Sequence, residues 1–126
     1  MDKIKDFYQL DAWKESHKLN LLVYKITNAF PKDEKYCLTD QIRRAVSSIT
    51  ANIAEGFGRF HFTDKIRFYH QARGSIKEVQ NFIILAKDLG YFNVEEAKKI
   101  WKKSKDAEKL INGLIRSAEK QKVTGY

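Results

Sequence analysis

The sequence predicts an all-α chain folded as one up-down-up-down four-helix bundle. Four stretches repeat apolar residues at helical spacing, and the links between them are short. Turn-forming residues are scarce: among 126 residues there are one proline, Pro31, and six glycines. A sandwich or barrel of many strands needs more turns than that supplies. Links of about four to nine residues make antiparallel neighbours the simplest arrangement.

Each helix has readable ends. The first is expected over about 10–30, stopping at Pro31, because proline disfavours helical geometry in the residue before it. The polar link 31–38 has room for one loose turn. A second helix, about 39–57, meets the stop signals Gly56 and Gly58. The third, about 63–89, takes Thr63 as its cap and closes on Gly90. Asn93 and Glu96 have capping-box spacing and open a fourth helix, about 94–120, with a frayed tail beyond. No composition shift divides the chain, so residues 1–126 read as a single domain.

Composition narrows the function. The chain carries 24 Lys and Arg against 16 Asp and Glu, a net charge of +8. Its single cysteine, Cys37, excludes an internal disulfide or a cysteine-cluster zinc site and reads as a structural or incidental thiol. Charged residues make up 32% of the chain, no long apolar run occurs, and residues 1–10 lack a signal-peptide core. A cytoplasmic protein with no membrane partner is therefore expected. None of His17, His61 and His70 follows a glutamate by three positions, so the di-iron bundle motif is missing. Arg67 and His70 stand two residues apart, short of the four-to-six gap of small helical ribonucleases. Neither a catalytic site nor a cofactor is expected.

Helical faces follow from an advance of about 100° per residue. On the second helix Leu38, Ile42, Ala45, Val46, Ile49, Ile53 and Phe57 form a core stripe. Beside it Gln41, Arg44, Ser48, Asn52, Glu55 and Arg59 fall within about 80°. Two readings are open, a solvated face or a wet contact between bundles. Planar, short and forked groups in place of lysine favour the contact. The third helix spreads apolar residues from Phe68 to Leu89 over about 160°, wider than one core requires. Gly74 interrupts it, among Arg73, Ser75 and Glu78, as either a close approach by another backbone or a tolerated defect. The fourth helix lines up Lys98, Lys102, Lys105, Lys109 and Arg116 opposite Ile100, Ala107, Ile111, Leu114 and Ala118. Trp13 and Trp101 read as core anchors.

The run from Gln41 to Arg59, with Phe68-Tyr69, Ala72 to Ser75 and Glu78 behind it, resembles the paired signatures of a bacterial four-helix-bundle family. Its members include proteins encoded in intervening sequences of 23S ribosomal RNA genes, often labelled ribosomal proteins. Phe30-Pro31, Trp13 and the Asp88 to Tyr91 stop fit the same pattern. The resemblance implies a left-handed bundle that closes into a ring-like homopentamer, with no established enzyme activity. It also implies kinship with the accessory protein of diversity-generating retroelements, a basic bundle that binds nucleic acid and partners a reverse transcriptase. Many relatives carry proline where this chain has Thr50, which implies a straighter second helix here.

Two functional expectations result. In one, a self-assembled oligomer binds RNA or DNA, with Arg43, Arg59, Lys65, Arg67, Lys98, Lys102, Lys105 and Lys109 as phosphate contacts. In the other, an adaptor docks a protein partner such as a reverse transcriptase. Gln41, Arg44, Ser48, Asn52, Glu55, Arg73, Ser75 and Glu78 are expected to form a polar network or subunit interface in either case.

Overall fold

A computed structural model describes residues 3–124. A 3-10 turn at Phe7–Gln9 leads into α1, Asp11–Thr27. A second such turn, Lys32–Glu34, precedes α2, Leu38–Phe57, which is followed by α3, Phe62–Asp88, and α4, Val94–Thr124. Among the described residues there is no strand. α1 and α3 each pack against both α2 and α4, while α2 and α4 stand diagonally across the bundle.

β-branched side chains fill the interior. Val23 of α1, Ile42, Val46, Ile49 and Ile53 of α2, Ile76 and Val79 of α3, and Ile100 and Ile111 of α4 are each 0% exposed. Burying one such side chain is worth about 1.5–3 kcal/mol, so this layer supplies most of the drive to fold. Phe30 closes one end, its ring 5.4 Å from Tyr91 and 5.2 Å from Phe92. At that end the Tyr91 hydroxyl donates to Glu34 Oε2 at 2.9 Å, tying the α3–α4 turn to the α1–α2 link.

Local chemistry sets the ends. Asn93 and Glu96 form the expected box: Glu96 N donates to Asn93 Oδ1 at 2.8 Å and Asn93 N to Glu96 Oε1 at 3.1 Å. Gly90 takes φ 79°, the left-handed turn glycine permits after α3. Three expectations need correction. α1 stops at Thr27, because the chain ahead of Pro31 tightens into i→i−3 bonds, Ala29 N to Ile26 O and Phe30 N to Thr27 O. α3 begins at Phe62 with His61 at its cap, so Thr63 lies inside the first turn. Gly56 is no stop signal; it is buried within α2, and Gly58 is the cap. Beyond 120, α4 continues to Thr124, and the last two residues lie outside the described ones.

Candidate functional site

The polar stripe of α2 lies along the outer edge of its seam with α3. Ser48 and Ser75 hydrogen-bond across that seam through their hydroxyls. Asn52 Nδ2 donates to Ser48 O at 2.8 Å, and Ser75 Oγ to Gln71 O at 3.1 Å. Gln41, Arg44, Glu55 and Glu78 are exposed. Within the protomer they do not join into one network: Arg44 pairs with Asp40 at 2.9 Å, and Glu55 with Arg59 at 2.6 Å. Arg73, on α3, turns away from the seam. Its guanidinium turns toward α4, reaching Asn112 Oδ1 at 3.3 Å and His70 Nδ1 at 2.8 Å.

Gly74 is exposed, and a Cβ built there would meet nothing within 4 Å. No close approach inside the protomer explains it. Leu85 and Leu89, at the α4-proximal end of α3, are 44% and 50% exposed, so the broad apolar face does outrun the core.

The eight basic candidates separate into three groups. Arg43 serves the end of α1: Nε donates to Thr27 Oγ1 at 2.9 Å and an NH2 group to Asn28 Oδ1 at 3.1 Å, with the guanidinium 4.9 Å from the Tyr24 ring. Lys65 does the same for α2, donating to Phe57 O at 2.6 Å, and burial lowers its pKa. Cations beside terminal carbonyls satisfy groups the helix leaves open. Arg59 and Arg67 flank one ring, 4.7 and 4.8 Å from the centroid of Phe68. Lys98, Lys102, Lys105 and Lys109 run along exposed α4, with Lys102 on Asp106 at 3.2 Å and Lys105 on Glu108 at 3.2 Å. The bundle thus splits the set into helix-end clasps, an arginine pair at the α2–α3 turn, and the α4 row.

Trp101 corrects another expectation. It is 37% exposed and sits in a groove between α3 and α4, outside the core. Trp13 does pack against the core and stacks on His17, with ring centres 4.6 Å apart.

A buried polar cluster escaped the sequence reading. Gln80 Nε2 donates to Ser104 Oγ at 3.3 Å and Glu108 Oε1 at 3.2 Å, and Lys77 Nζ meets Glu108 Oε2 at 2.7 Å. Burial alone would raise the Glu108 pKa, but hydrogen bonds from Lys77, Gln80 and Lys105 together outweigh it and hold it at about 2. The signal was present: positions 104 and 108 share the apolar face that carries Ala107 and Ile111.

Residues 8–113, which include α1, α2, α3 and the first twenty residues of α4, match the family described as 23S rRNA-intervening sequence protein. The chain belongs to that family. The chain is also similar to a solved structure from Bacteroides thetaiotaomicron, described as a protein of unknown function from the S23 ribosomal protein family. The two share 22% identity with a TM-score of 0.75, over 82% of this chain and 97% of that one. At that identity the likeness establishes the bundle fold. Among curated proteins none matches this chain. Neither description names a reaction. No described helix is long and apolar enough to cross a membrane.

Proposed function

We propose that this chain is a non-enzymatic, self-assembling subunit whose assembly holds RNA or DNA by its phosphates. The observation that carries the reading is the separation of two unlike surfaces, one centred on α2 and the other on its diagonal partner α4. On one corner lies the α2–α3 seam, with its short polar groups and the open Gly74. On the other lies the lysine row of α4. Copies that meet through the seam leave every α4 facing outward, so one assembly repeats the cationic row around its rim.

The seam suits a contact between copies. An exposed mid-helix glycine costs about 1 kcal/mol relative to alanine, and inside the protomer nothing requires it. A neighbour's backbone settling against α3 accounts for it. Arg44 and Glu55 then exchange local partners for intersubunit ones and the exposed Glu78 joins them, in a wet interface with charge-assisted bonds. The homopentamer implied by the family resemblance is the proposed stoichiometry.

The row suits phosphates because it repeats exposed positive charge along one helix. Titrating RNA and DNA between about 50 and 200 mM salt tests the reading. Affinity should fall steeply with salt and depend little on sequence. Affinity that is absent, or flat with salt, rejects it.

A further inference from the structure

We propose that the α3–α4 groove holding Trp101 takes an unpaired nucleobase, making the α4 row a binder of single strands. The inference rests on the phosphate-binding reading above and adds the part of the ligand that reading leaves open. Trp101 is 37%, Ile84 50% and Val94 65% exposed, and Ala97 forms the buried floor beneath them. Together they bound an open cleft of about 360 Å³, room for a flat heteroaromatic ring. An indole left accessible beside aliphatic walls is a stacking surface, and every base offers a π-face to it.

Charge selects the occupant. Lys87 and Lys98 rim the cleft, and both are exposed. From Lys98 the row continues through Lys102 and Lys105 to Lys109 in steps of about 4.5–6 Å, from a rise of 1.5 Å per residue. A base seated on Trp101 therefore places its own phosphate beside Lys98 and sends the strand along α4. A second copy docking here by two-fold symmetry would set these lysines against one another. Duplex is excluded because its bases are stacked and paired inside the helix, while recognition by stacking needs them splayed out.

The test compares the wild-type full chain with W101A and W101F, using a uridine-rich single-stranded RNA and a duplex of equal length. Single strand should quench wild-type tryptophan emission, and W101F should lose that quenching while keeping most of its affinity. W101A should bind single strand about ten- to a hundredfold more weakly, with the salt slope unchanged. In K98A the slope should instead drop by about 0.7. Salt-dependent binding without quenching, unchanged affinity in W101A, or equal quenching by duplex overturns the inference and leaves phosphate binding standing. Quenching by an acidic amphipathic peptide but not by RNA also overturns it, in favour of a protein ligand. Failure of the wild-type chain to bind any RNA or DNA sinks both readings.

Discussion

Gly56 lies against the ring of Tyr69, so close that a Cβ on the glycine would stand 2.7 Å from Tyr69 Cε1 and 3.0 Å from Phe68 Cβ. This contact sets how near α2 and α3 come at their shared turn. It also buries the Tyr69 ring, whose phenol is pushed up to about 12 by burial. Gly56→Ala gains about 1 kcal/mol of helix propensity but overpacks the seam by about 1–3 kcal/mol. A net loss near 1 kcal/mol is expected, lowering Tm by about 4 °C in a calorimetric scan.

Gly74→Ala should behave in the opposite way. Its Cβ meets nothing in the protomer, so the fold is kept and the unfolded chain loses freedom worth about 0.4–1 kcal/mol. Assembly should weaken by about tenfold or more, equivalent to about 1.4 kcal/mol. Sedimentation across a dilution series measures that, and unchanged association would argue that α3 is not approached there.

Arg43 is expected to matter for folding and not for nucleic acid. Arg43→Ala removes the clasp on Thr27 and Asn28, at a cost of about 1–2 kcal/mol. Urea unfolding should register the loss. The salt slope of RNA binding should stay as in the wild type, whereas Lys109→Ala should reduce it.

Glu108 makes stability depend on acid. Its pKa falls from 4.5 in the reference state to about 2 in the fold. A depressed carboxylate contributes fully above its unfolded value, and the contribution is lost as pH drops through its folded value. Stability on the order of 3 kcal/mol should therefore disappear between about pH 5 and pH 2. Glu108→Gln should be less stable at neutral pH and flatter across that window in chemical denaturation.

The bundle was legible because apolar periodicity, Gly90 and the Asn93–Glu96 box act locally, through residues the sequence places side by side. The functions of Gly56, Arg43 and Lys65 were not. Each is decided by a partner on another helix, Tyr69, Thr27 and Phe57 respectively. Trp101 was misread for a related reason. Angular arithmetic places it beside the apolar face, but the α3–α4 crossing leaves that edge open. Ser104 and Glu108 were readable as polar intruders in an apolar stripe, since position alone puts them inside.

In the proposed assembly, copies of the chain cover the α2–α3 seam. Light scattering on the purified full chain across dilution, beside Gly74→Trp, measures it most directly. The wild type should give a particle of five times the 14.8 kDa chain mass, with the variant shifted toward one chain. A wild-type mass of 14.8 kDa at every concentration would contradict it.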